Sequence, residues 1–407
     1  MSQHRTNKIL ILLLISGCFL TMLSCKKDNN TAQPAITQIR AIAPAPNDSI
    51  LKKAGPGEWV VIQGTNLADA SQIFFNGYPA SFNSALFAGN NLVVLIPADM
   101  PFATLAAADL NTVKVITPGG TVVYQFPIVP PPPVVATMSN EYAVAGTRVS
   151  ITGNNFFYID KVIFPGGIAA TTNIVSNSTG TSLDVTIPAG VNTGGTIQVV
   201  NRYGTGTSVL LFNDFTTGVL HNYDNVSNYD WGAGNSNNSG NYPGNRGYYG
   251  VMTASGVSAG DFGWWNGNRP INLKSAQWVA ATDLSKPLGN YAVKFEINVI
   301  KPWKNGSLFI MKDYNWTYVA RYEPWQKMDG TVADFTTTGW QTVTIPLDIF
   351  KTKANNQDGT GVPAASMSAL LGSGSGGFNM FFVNPGTTAV ADFEAAVDNI
   401  RVEKIAN

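Results

Sequence analysis

The chain has 407 residues, enough for about two to four domains of ordinary size, each able to bury its own core. Its 25 basic and 25 acidic side chains cancel, and neither sign forms a long run. That balance argues against an extended nucleic-acid groove or a polyanion-binding face and points to a neutral partner.

At the amino terminus, Arg5 and Lys8 precede the apolar run ILILLLISGCFLTML, which stops at Ser24-Cys25. This is the order of a secretion signal. The run is broken by Ser16-Gly17-Cys18 and falls short of the roughly 20 apolar residues that a membrane span takes. Cys18 and Cys25 are the two cysteines of the chain, so the body after the leader has no thiol pair to oxidise. Leu23-Ser24-Cys25 resembles the bacterial lipobox, which implies a leader over residues 1–24, an acylated Cys25 and a flexible tether over 25–36. Ile15-Ser16-Gly17-Cys18 fits the lipobox pattern as well, but it leaves FLTMLS at the head of the mature chain. A third reading leaves both cysteines idle in a cleaved leader. Lys26-Lys27-Asp28-Asn29-Asn30 looks like the surface-export signal of Bacteroidota lipoproteins, which implies display at the outer membrane surface, held there by the lipid chains.

From Pro34 onward, short runs of Val, Ile, Thr and Phe alternate with Gly, Asn and Pro clusters, the pattern of an all-β chain. A repeat organises the first half. Gly57, Gly64, Asn66, Phe75 and Ala80 align without a gap on Gly146, Gly153, Asn155, Phe164 and Ala169, and LIPA at Leu95 is answered by TIPA at Thr186. A period near ninety residues predicts one small β-sandwich per unit, over 37–129 and 130–213, with Pro130 to Pro133 as a stiff linker heading the second. Val60 and Ile62, like Val149 and Ile151, should alternate inward, and the following glycines should supply a turn in which Asn66 and Asn155 bond locally to backbone. The pattern resembles the IPT/TIG family of immunoglobulin-like domains, which implies spacers without glycan affinity of their own.

After Asp214 the texture changes. Eight of the nine tryptophans lie beyond it, among Asn- and Gly-rich loops, and the stretch 214–407 suits one larger jelly-roll-like β-sandwich. The succession KFEINV, PW, VARYEPW, GWQTVTIPL, FFVNP and VDNIRV looks like the carboxy-terminal domain of Bacteroidota surface glycan-binding proteins. The resemblance implies a lipid-anchored protein that captures a neutral plant β-glycan such as xyloglucan, without cleaving it, beside an outer-membrane glycan transporter. Which polysaccharide is bound depends on loops that sequence does not place.

Asp313 to Trp325, DYNWTYVARYEPW, interleaves rings with polar residues, as a sugar requires: an aromatic face covers its C–H patch while flanking polar groups take its hydroxyls. A strand from Thr317 to Tyr322 should put Tyr318 and Tyr322 on one face and Val319 and Arg321 on the other. By motif, the resemblance marks Trp303, Arg321 and Trp325 as glycan contacts; chemistry adds Trp316, Trp264 and Trp265. Trp278 and Trp340 sit beside strands and read as core. Trp231, Tyr248 and Tyr249 lie in Asn-Gly loops, where a ring either plugs a sandwich end or binds.

Two other classes compete. A glycoside hydrolase needs two carboxylates about 5 to 9.5 Å apart, and Asp230, Asp313, Glu296, Glu323 and Asp392 are candidates, though none sits in a catalytic motif. His221, the single histidine after the leader, argues against a histidine triad or a zinc site. An adhesin that binds protein through exposed rings is the other alternative. No cofactor is implied; a structural calcium could draw on Asp214, Asp224 and Asp398, although no ligand loop of familiar spacing is present.

Overall fold

The computed structural model describes residues 32–88 and 90–406. The leader and Cys25 lie outside the described residues. The chain is all-β and divides into two compact units between Pro131 and Pro132.

The first unit pairs two four-stranded antiparallel sheets. One orders Ala35–Ala41, Trp59–Thr65, Asn91–Leu95 and Phe87–Ala88; the other orders Tyr78–Pro79, Gln72–Phe75, Thr112–Thr117 and Gly120–Gln125. Period-two alternation buries Val60, Ile62, Ile73, Phe75, Val113 and Val115 between them.

In the second unit, the sheet of Val134–Met138, Arg148–Asn154, Ser182–Thr186 and Val175–Ser176 faces that of Ile168–Ala170, Ile159–Phe164, Gly195–Asn201 and Gly204–Phe212. The repeated Gly-x-Asn works differently from the expected local turn. A Cβ on Gly64 would lie 1.8 Å from the Ala35 carbonyl oxygen, and one on Gly153 would lie 1.9 Å from that of Val134, so each glycine lets two strands meet at a bulge. Asn66 and Asn155, both in left-handed backbone, donate Nδ2 to the distant carbonyls of Gln33 and Pro132, at 3.0 and 3.2 Å. The motif thus pins the strand that enters each sandwich.

The carboxy-terminal sandwich of this unit has a six-stranded sheet built around the long strand Val390–Lys404 and a five-stranded sheet. The latter orders Tyr229–Gly232, Pro270–Gln277, Ser375–Val383, Ser307–Lys312 and Ala320–Tyr322. Between them lies a core that includes Ile271, Phe295, Leu308, Ile310, Met380, Phe382, Phe393 and Val397.

The strand Tyr291–Asn298 alternates in type but is buried on both faces. The side facing away from the core meets the preceding sandwich through charge. Glu141 places Oε1 2.6 Å from Lys294 Nζ and Oε2 2.6 Å from Arg401 Nη2, while Arg401 Nη1 lies 2.8 Å from Glu296 Oε2. Glu403 flanks both cations at 3.2 to 3.3 Å without hydrogen-bond geometry. Arg401 also covers the Tyr142 ring at 4.8 Å, and Arg246 donates to the carbonyls of Tyr142 and Ala143. Burial pushes the Glu296 carboxyl up to about 7, against the pull of Arg401. Glu296, a candidate acid by sequence, is therefore part of a structural charge cluster.

Candidate glycan-binding face

The outer surface of the five-stranded sheet carries a second apolar layer. Phe309 and Met311 from one strand and Phe381 and Val383 from its neighbour alternate outward, because Leu308, Ile310, Met380 and Phe382 take the inner face. Such a layer on the outside of a sheet needs cover, and aromatic loops supply it. Trp264 stacks on Phe381 with centroids 4.2 Å apart and planes 15° apart. Trp316 rests against Phe309 and Phe381, and Tyr314 lies 5.9 Å from Phe381. Trp231 and Trp265 extend the cluster from Trp264 at 6.0 and 5.5 Å. Trp231, Tyr314 and Trp265 are 37%, 39% and 59% exposed, so the assembly ends in open ring surface.

Hydrogen bonds hold Trp264, Tyr314 and Trp231 in place. In the Trp264 loop, the Asp261 carboxylate accepts the Gly263 N–H at 2.6 Å and pairs with Arg269 at 3.2 Å. Those contacts, the Gly263 bond first, hold the Asp261 carboxyl below its ordinary range. Tyr314 is presented by a turn in which Asp313 and Tyr314 both have left-handed backbone, at φ 53° and 54°, a conformation worth about 1 to 3 kcal/mol of strain per residue. Two bonds offset it: Asp313 Oδ1 accepts the Gly377 N–H at 2.5 Å, and the buried Asn379 Oδ1 accepts the Tyr314 N–H at 2.6 Å. Asn379 Nδ2 donates to Asn272 Oδ1, and the Tyr314 hydroxyl accepts from Trp231 Nε1 at 3.1 Å. A continuous set of hydrogen bonds fixes two of the exposed rings.

The structure brings Trp264, Trp265 and Trp316 together, and Arg321 joins them by lying over the Phe309 ring at 5.3 Å. The expected strand from Thr317 is shorter, Ala320–Tyr322, because Thr317 and Tyr318 belong to the turn before it; Tyr318 and Tyr322 nonetheless pack on the inner core while Val319 faces outward. Trp325 is set apart: it packs partly on the main core and donates Nε1 to the Gly306 carbonyl at 2.7 Å. The expectation for Trp303 is corrected. It is 1% exposed, ringed by Tyr322, Phe335, Phe382 and Phe393, and has no face to offer a ligand. Trp278, Trp340 and Tyr249 are buried too. Trp231 and Tyr314 are the contributors that the sequence left unassigned. Tyr314 lies in the ring-rich stretch itself, and Trp231 follows Tyr229 and Asp230 closely, so aromatic density was the available signal.

The candidate carboxylates are dispersed. Glu296 lies in the interdomain cluster, Asp392 pairs with Lys301 at 3.0 Å, and Asp313 holds the Tyr314 turn. Asp230 stands exposed next to Trp231, and Glu323 binds Arg321 Nη2 at 2.5 Å and the Ser307 hydroxyl. The three aspartates considered for calcium do not converge either: Asp214 caps Thr216 and Thr217, Asp224 accepts the Tyr248 N–H, and Asp398 is buried with its carboxyl pushed well up by that burial. Among the described residues no group of three or more His, Cys, Asp or Glu side chains is placed to hold a metal ion.

Residues 212–404 match the family described as surface glycan-binding protein B xyloglucan binding domain. A Bacteroides ovatus protein described as IPT/TIG domain-containing is 24% identical over 199 residues, 46% of this chain and 41% of that protein, so the match spans less than half of the relative. The surface glycan-binding protein PbSGBP-B of Prevotella bryantii shares the fold with a TM-score of 0.69 at 20% identity, over 92% of this chain and 99% of that one. SGBP-B from a complex xyloglucan utilization locus in Bacteroides uniformis does so with a TM-score of 0.51 at 17% identity, over 91% and 99%. Residues 212–404 are thus similar to the surface glycan-binding protein B xyloglucan binding domain over somewhat less than half of the chain, and the chain shares the fold of the surface glycan-binding protein of Prevotella bryantii.

Proposed function

We propose that this protein is a non-catalytic polysaccharide receptor that captures a neutral plant β-glycan, xyloglucan first among them, on the outer face of its five-stranded sheet. One observation carries the reading: Trp231, Trp264, Trp265, Tyr314 and Trp316 gather over Phe309 and Phe381 and leave ring surface open. Flat rings, with Arg269, Lys312 and Arg321 beside them each paired to a carboxylate, suit an uncharged sugar chain. Acylation of Cys25 would hold the receptor at the outer membrane of a Gram-negative cell, beside a glycan transporter that takes over the captured chain. Surface residence and capture fit together, because a receptor raises the local concentration of a polymer that diffuses slowly.

The test is affinity electrophoresis of the full-length protein against xyloglucan, mixed-linkage glucan and mannan, with reducing sugar measured in the same mixtures. Retardation by xyloglucan without release of reducing ends is the expected result; release of reducing ends would assign an enzyme. For the anchor, Cys25→Ala should free the protein from membranes, and retention of Cys25→Ala with release of Cys18→Ala would move the lipid to Cys18.

A further inference from the structure

We infer that the contact between the second sandwich and the carboxy-terminal sandwich is a proton-dependent latch, closed by protons held on surplus carboxylates and loosened when those protons leave. Glu141, Glu296, Asp398 and Glu403 bring four carboxylates to this contact against the two cations of Lys294 and Arg401, and all six side chains are buried. Arg246 stands at the border, but its guanidinium donates to the carbonyls of Tyr142 and Ala143, and counting it still leaves one carboxylate in excess. Surplus charge away from water is costly, and a carboxylate avoids that cost by taking up a proton.

Strand register locates the surplus. Glu296 and Asp398 stand directly opposite each other on the antiparallel strands Tyr291–Asn298 and Val390–Lys404, a placement in which like charges repel. Arg401 directs its salt bridges to Glu141, Glu296 and Glu403, whereas Asp398 accepts the Asn399 N–H at 2.7 Å. Asp224 adds a negative charge on the Asp398 side, and the buried Tyr223 hydroxyl there stays neutral. Glu296 and Asp398 border, with Asn140 and Tyr142 of the preceding sandwich, a cavity of about 10 Å³, room for a single water. Burial accordingly holds the Asp398 carboxyl well above its ordinary range and raises those of Glu403 and Glu296.

Thr342 ties these protons to the contact. Its hydroxyl donates to Glu296 Oε1 at 2.7 Å and accepts the Glu141 N–H at 2.8 Å, while its own N–H donates to the Ser139 carbonyl at 2.8 Å. Loss of a proton therefore places repulsion on the residues that join the two sandwiches. Once the contact opens, water reaches the carboxylates and Asp398 and Glu296 return to their ordinary 3.8 and 4.5. The closed form thus holds protons that the open form releases, so the latch is tightest below about pH 4 and weakens as pH rises towards about 7, where Glu296 ionises in place. Because the carboxy-terminal sandwich carries the aromatic face, the latch decides how firmly that face is held to the sandwich before it.

The experiment is hydrogen exchange of the full-length protein at about pH 5 and about pH 7.5, read by mass spectrometry on peptides covering 139–143 and 339–343 and corrected for the intrinsic pH dependence of amide exchange. Protection across the contact should fall roughly fiftyfold between those values for the one proton on Glu296, and further with that on Asp398. Glu296→Gln and Asp398→Asn each fix one site in its neutral form, and each should remove about tenfold or more of that fall. Unchanged wild-type protection between the two pH values would overturn the latch, as would a full wild-type fall in both variants. If neither variant folds, the wild-type measurement decides by itself.

Discussion

Arg401 sets its guanidinium 2.6 Å from the carboxylate of Glu141, joining the last strand of the carboxy-terminal sandwich to the start of the one before it, with both side chains buried. The second sandwich is therefore no detached spacer: it supplies one carboxylate of a cluster whose cations sit under the carboxy-terminal domain. Removing one partner of a buried pair typically costs about 3 to 5 kcal/mol, because the remaining charge stays desolvated. Glu141→Ala should lower the unfolding free energy by an amount of that order, and the melting temperature with it, measured on the full chain. Asp392→Ala, which breaks an exposed pair with Lys301, should cost no more than about 1 kcal/mol.

The rings divide by burial into two groups with opposite phenotypes. Trp265→Ala removes an exposed face and should lower glycan affinity roughly tenfold with melting unchanged, taking about 1 to 3 kcal/mol per stacked base as an upper guide for a sugar. Trp303→Ala empties a core site and should cost about 3 to 5 kcal/mol of stability. Titration and calorimetry on the same preparations separate the two.

Tyr314→Phe keeps the ring and deletes the acceptor for Trp231 Nε1. A hydrogen bond of this kind contributes about 0.5 to 1.5 kcal/mol, so a loss of a few-fold in affinity is expected, with stability changed by less than about 1 kcal/mol. An unchanged dissociation constant would show that Trp231 needs no such tether.

His221 provides a pH test of stability. Burial lowers its pKa from the ordinary 6.5 to about 4. The unfolded chain then binds a proton between those values that the folded chain refuses, so this contribution to stability is present above about pH 6.5 and is lost as pH falls towards 4. Glu296, raised to about 7, has the opposite slope: its contribution falls as pH rises from about 4.5 to 7. His221→Gln removes only the first. The change in unfolding free energy between pH 6.5 and pH 4 should differ from wild type by about 3 kcal/mol, read from denaturant titrations at each pH.

Much of this molecule was written in local pattern. Period-two runs such as Trp59–Thr65 and Arg148–Asn154 declare their inward residues, since a strand has only two faces, and the ring-rich stretch from Asp313 to Trp325 did hold contributors to the open face. Tertiary structure decided which ring goes where. Trp303 follows a strand end, as a binder could, yet a second sheet closes over it. Trp231 and Trp264, more than thirty residues apart, become neighbours because one sits on the edge strand of the sheet and the other on a loop that covers its outer face. Lys294, Glu296 and Arg401 look like outward strand charges until Glu141 arrives from another domain to complete their pairing. Alternation along one strand records that two faces differ; what covers the second face comes from distant chain, and no local period encodes that.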